Sequence, residues 1–140
     1  MRSLRPVTLA GLSLLGVLAS TAAAAQACEL PGSGSQRIEG ERYVIAWRSD
    51  PAVIAVGRHF AVEFLVCPKA GAPAPESVRV DAHMPEHRHG MNYQAQLKPA
   101  AGGAQRAEGL MFHMPGRWEF IFELRAAGRT DRLIQRHTLK

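Results

Sequence analysis

The sequence predicts an all-β domain, an antiparallel β-sandwich of immunoglobulin-like shape with about seven strands. Two observations lead there. Large apolar residues recur at every second position in several short runs, and Gly, Pro, Asp and Ser separate those runs at roughly ten-residue spacing. A third points the same way, because no stretch sustains a helical period.

The elements follow in order. Residues 1–27 have the three parts of a secretory signal: Arg2 and Arg5, an apolar stretch from Val7 to Ala19, and an alanine-rich end. That stretch is short and diluted by Thr8, Gly11, Ser13 and Gly16, so no membrane span is expected. Cleavage after Ala27 starts the mature chain at Cys28, with Ala23-Ala24-Ala25 as the alternative site that would start it at Gln26, and the protein is expected to be periplasmic or secreted. A cysteine in that position invites lipid anchoring, but the residues before it lack the usual leucine and place Gln26 ahead of Ala27, which argues against it. Residues 28–39, rich in Gly, Ser and Pro, are expected to form a flexible lead-in, and residues 40–140 the sandwich.

Within the sandwich, Tyr43, Ile45 and Trp47 share one side of a strand and Arg42 and Arg48 the other. Ser49-Asp50-Pro51 and Gly57 supply turns before the next strand, His59 to Cys67, with Phe60, Val62, Phe64 and Val66 on one face. A strand from Ser77 to Met84 follows and ends at Pro85, which has no donor for the ladder. A short strand near Tyr93 to Leu97 precedes the Ala/Gly-rich turn Pro99 to Ala104. The clearest strand is Arg117 to Arg125, with Trp118, Phe120, Phe122 and Leu124 facing inward, and Gly128 turns the chain into a last strand, Arg129 to Leu139.

Of the 17 Lys and Arg, two lie in the leader, leaving 15 against 12 acidic residues. The Arg residues are dispersed among acids with no interleaved aromatic patch, so nucleic acid is not an expected partner. No nucleophile elbow, phosphate loop or acid pair is present, and an enzyme is not expected. The two cysteines, Cys28 and Cys67, are most simply a disulfide in an exported chain. Its closure would contribute about 3–4 kcal/mol on chain-entropy grounds.

The remaining signal is compositional. After the leader the chain has four Met and six His, and eight of these ten fall in His83–Met91 and Met111–Met114. The candidate ligands are therefore His83, Met84, His87, His89, Met91, Met111, His113 and Met114. Thioether sulfur is soft and suits Cu(I), and imidazole accepts either copper oxidation state, whereas zinc has no use for methionine. Residues two apart project the same way in an extended segment, which holds for His87 and His89 and for Met111 and His113. Should both pieces lie at one end of the sandwich, His87, His89, Met91, Met111 and His113 would converge on one ion. Asp81 and Glu86 stand by as acceptors able to orient imidazoles. The bland alternative is that Met84 and Met114 fill the core while the histidines decorate a turn. A blue-copper site is disfavoured, because Cys67 lies mid-chain without a nearby His and Met.

The run Met84-Pro85-Glu86-His87-Arg88-His89-Gly90-Met91, followed by Gly109-Leu110-Met111-Phe112-His113-Met114-Pro115-Gly116-Arg117-Trp118, resembles the paired signature of YtkA-like domains. These are small exported sandwich modules, similar in pattern to the periplasmic portion of FixH-type oxidase-assembly proteins. The resemblance covers roughly residues 40–138. It implies a sandwich fold and a copper-linked role, with His87, His89, Met91 and Met111 as first-choice ligands. The expectation is an exported protein that holds or delivers copper, Cu(I) preferred, for copper tolerance or oxidase assembly, with a membrane-bound or periplasmic protein as partner. The competing expectation is an immunoglobulin-like interaction module that docks a protein through its His/Met loop without metal.

Overall fold

The computed structural model describes residues 27–140; the expected signal peptide, all but its last residue, falls outside them. The described chain is a sandwich of two antiparallel sheets. Its strands are β1 (Gln36–Glu39), β2 (Tyr43–Asp50), β3 (His59–Pro68), β4 (Ser77–Met84), β5 (His89–Gly90), β6 (Gln96–Pro99), β7 (Gln105–Met111), β8 (Gly116–Ala126) and β9 (Arg129–Leu139). One sheet runs β1-β2-β3-β7-β6 and the other β5-β4-β8-β9.

The alternating faces meet in the middle. Tyr43, Ile45 and Trp47 from β2, Phe60, Val62 and Phe64 from β3, and Trp118, Phe120, Phe122 and Leu124 from β8 are all buried in one core. Their rings pack tilted or edge-on, as between Trp47 and Phe120 at 5.1 Å and Phe64 and Phe122 at 5.4 Å. At one margin of the sandwich Arg42 grips Asp131 of β9, and Arg129 reaches Glu41. Hydrogen bonds from Arg42 hold the Asp131 carboxyl below its ordinary range.

The described residues form nine strands, where about seven were expected. β1 forms inside the segment read as a lead-in, and ahead of it Cys28 and Leu30 are buried against Val44, Ala46 and Ala104. This small second cluster covers the outer face of the first sheet, which is why β2 is buried on both sides from Tyr43 to Trp47. Cys28 and Cys67 are joined as a disulfide across 39 residues, tying the start of the described chain to β3. The strand expected near Tyr93 to Leu97 lies later, at Gln96–Pro99.

β7 had no counterpart in the sequence reading. Its pairing with β3 shifts between Phe60↔Leu110 and Val62↔Ala107, so β7 carries one extra residue there. Gly109, at φ +81°, takes the left-handed conformation that such a bulge uses. Ala107 and Leu110, an odd number of residues apart, consequently both face the core.

Candidate metal site

Three segments meet at the end of the sandwich where β4 stops and β8 begins. The first is the β4–β5 hairpin. Pro85 ends the ladder, and a tight turn follows in which the amide of His87 donates to the Met84 carbonyl at 3.2 Å and that of Arg88 to Pro85 at 3.3 Å. Arg88 adopts φ +54°, an uncommon conformation for a side chain of its size. The chain then returns beside β4, with His89 opposite Met84 and Gly90 opposite His83. Directly paired residues share a face, so His89 lies on the core side of its sheet with Met84.

Neighbouring residues of β4 must point apart, and this separates two of the candidates. Met84 is wholly buried, with its methyl carbon against Gly116; a Cβ on that glycine would stand 2.6 Å from it. Gly116 is at φ +126°, where side chains are rarely found. Met84 is thus core packing. His83 faces the opposite way, its Nε2 3.3 Å from the Glu119 carboxylate. His83 therefore stands apart from the other histidines, while Met84 lies beside His89 as part of the core.

The second segment is the β7–β8 connection. Phe112 is buried and stacked on Trp118 at 4.4 Å, with the planes 12° apart. Its carbonyl accepts the Gly57 amide at 2.8 Å, which ties in the third segment, the β2–β3 loop. The Trp118 indole N–H donates to the Met114 carbonyl at 3.1 Å. These contacts pin both sides of His113. Its ring centroid lies 5.0 Å from that of His89, and His89 lies 5.7 Å from His87. Trp118 forms the floor, 5.4 Å from His113 and 6.1 Å from His89.

With metal–nitrogen bonds of about 2.0–2.1 Å, two imidazoles sharing a tetrahedral ion would have centroids about 5 Å apart. The observed spacings suit that. Among the described residues, however, no three His, Cys, Asp or Glu side chains are gathered closely enough to hold an ion as they stand. A third donor must come from rotation of exposed His87 or from a thioether. The nitrogens are informative here. The His89 Nδ1 lies 3.2 Å from its neighbour's carbonyl at Gly90; as the donor of that bond it leaves Nε2 with a free lone pair. The His113 Nδ1 is buried with no hydrogen-bond partner.

Of the thioethers, Met91 and Met114 are half-buried against the core beside this end. Met91 is held by its amide, which donates to the Ala82 carbonyl at 3.2 Å. Met111 is set elsewhere by the register, opposite His59 of β3. The two acids expected near imidazoles are otherwise engaged: Asp81 pairs with Arg79 and Glu86 with Arg117. Trp118, read from the sequence only as a core residue, is also the floor of the site; its position just after the His/Met motif was the available signal. His137, opposite Trp118 on β9, lies 6.0 Å from Phe112 and from Phe120, and burial pushes its pKa down.

No family profile matches the chain, and no curated protein matches it. A solved structure described as a DUF4426 family protein from Pseudomonas aeruginosa is similar over 76% of this chain and 97% of that one, at 9% sequence identity and a TM-score of 0.48. At that distance nothing about function passes from one to the other. The chain is a small two-sheet β-sandwich domain.

Proposed function

We propose that this protein is an exported copper carrier of the YtkA-like type that holds Cu(I) between His89 and His113, with His87 and the thioethers of Met91 and Met114 completing the ligand set. The observation that carries the reading is the pair of imidazoles 5.0 Å apart over Trp118, one with a buried, unpartnered nitrogen. A donor set of imidazole and thioether favours a soft ion over zinc, calcium or magnesium. The rigid floor holds His113, while His87 sits exposed on a turn. Such an asymmetric site suits holding and release: the exposed arm can leave first and admit a ligand from a membrane-bound or periplasmic partner. No turnover is required of it.

One observation favours the metal-free docking reading. The β2–β3 loop tied to Phe112 exposes Val53 at 80% and Val56 at 39%, an apolar margin that a protein partner would cover. Competition against a Cu(I)-selective chelator separates the two. Wild type should retain copper, and His89→Ala and His113→Ala should each weaken it at least tenfold, with Met91→Leu and Met114→Leu weakening Cu(I) but not Zn(II). If wild type surrenders all its copper, or every variant holds it as wild type does, the carrier reading fails and docking takes its place.

A further inference from the structure

We infer that the chain has a second soft-metal site, made by the imidazole of His59 and the thioether of Met111 on the outer face of the five-stranded sheet. It does not depend on the copper reading for the His89/His113 end.

The inference starts from the bulge in β7. With an unbroken period, Met111 would share a face with Ala107, which is buried in the core. The extra residue at Gly109 reverses the parity, so that Leu110 and Phe112 enter the core and Met111 faces away from it. There it is directly opposite His59, the first residue of β3. Residues so paired have their Cβ atoms about 4.5–5.5 Å apart, a separation that both side chains can close on one ion. Cu(I), with a filled d shell, accepts as few as two ligands. Bulges beside sites commonly re-aim a side chain in this way.

A cleft of about 330 Å³ adjoins His59, lined also by Tyr93, Gln94, Gln96, Glu108 and Gly109. Tyr93 meets the His59 ring edge-on at 5.1 Å and helps fix its orientation. Glu108 is the carboxylate of this cleft, but Lys98 and Arg106 both engage it. Hydrogen bonds from Lys98 are the main reason its pKa lies below the ordinary range. With the carboxylate neutralised, the paired imidazole and thioether are the soft donors here, and they favour Cu(I) over magnesium or calcium.

The test is Cu(I) stoichiometry on the purified protein with ¹³C-methyl-labelled methionine, under a competing chelator. Wild type should take two equivalents, one of which shifts the Met111 methyl resonance. His59→Ala and Met111→Leu should each remove one equivalent and leave the other, and both should melt like wild type because neither residue lies in the core. A His89→Ala/His113→Ala double variant should keep the equivalent that moves Met111. The second site is overturned if Met111→Leu leaves the stoichiometry unchanged, or if it removes the same ion that His89→Ala removes. Copper retained by the double variant and lost from Met111→Leu would instead refute the first site and uphold this one. No copper in any protein refutes both.

Discussion

Phe120→Ala tests whether the face assigned to β8 is the core. Phe120 is fully buried, and four rings surround it: Trp47 at 5.1 Å, Phe112 at 5.3 Å, and Phe60 and His137 at 6.0 Å. Four rings contributed by three strands and a loop cannot all move in to fill the space that truncation to a methyl group would leave. The loss should therefore lie in the upper part of the about 3–5 kcal/mol range for truncated core aromatics. At about 4 °C per kcal/mol for a domain of this size, Tm should fall by about 16–20 °C. Urea unfolding followed by tryptophan fluorescence would measure it, with an unchanged slope showing that the change is in stability. Ile134→Ala, on an outward position of β9 that is 43% exposed, is the control and should shift stability by no more than about 0.5 kcal/mol. A loss under about 1 kcal/mol at Phe120, or an equal loss at Ile134, would refute the assignment of faces.

Three other outcomes follow. Cys28→Ser/Cys67→Ser should lower stability by about 4 kcal/mol on the chain-entropy estimate for a loop of this length, and two free thiols by mass in unreduced wild type would contradict the bridge. Asp131, whose pKa is depressed in the fold by Arg42, contributes stability that is present above its unfolded pKa and lost as pH falls through the folded value. Asp131→Asn should thus lower Tm at neutral pH and flatten its decline in acid; an unchanged acid limb would show that the pair contributes nothing. His113→Leu should remove the buried unpartnered nitrogen, leaving the metal-free protein at least as stable as wild type while abolishing the rise in Tm that copper gives. A copper-dependent rise that survives the substitution would remove His113 from the site.

The strands legible in the sequence were those in which large apolar residues alternate without a break. Trp118, Phe120, Phe122 and Leu124 alternate without interruption, and all four are buried as read. β7 escaped because its period changes in the middle: Gly109 adds a residue, and the apolar positions Ala107, Leu110 and Phe112 then fit neither a strand nor a helix. β1 escaped because only Ile38 of its four residues is buried, so backbone pairing with β2 holds it, and that leaves no pattern in side chains. β5 has two residues, too few for any period. Cys28 and Leu30 looked like linker because the Gly, Ser and Pro that follow them are linker-like; the surface they cover is formed by residues far along the chain.

The density of His and Met was legible for the candidate site, but which of them meet was not, because adjacency in sequence and adjacency in space part company at every strand end. His83 and Met84 are neighbours on opposite faces of β4. Met111 and His113 are two apart, yet β7 ends at Met111, so the alternation that would align them stops there. The imidazoles that do meet come from β5 and the β7–β8 loop, held over one platform, Trp118 stacked with Phe112, and a stiff floor of this kind keeps His113 in place whether or not an ion is bound. A buried polar atom left unpaired is destabilising by about 1–3 kcal/mol, so its persistence asks for a reason. The indole nitrogen of Trp47 is orphaned as well, which shows that an unpaired atom is not in itself a site. What distinguishes the His113 nitrogen is its company: Trp47 offers only a donor among hydrocarbon rings, whereas His113 stands beside a second imidazole whose hydrogen bond to Gly90 leaves its own lone pair available. A copper ion held as proposed would take that lone pair together with the one a neutral His113 ring has to offer.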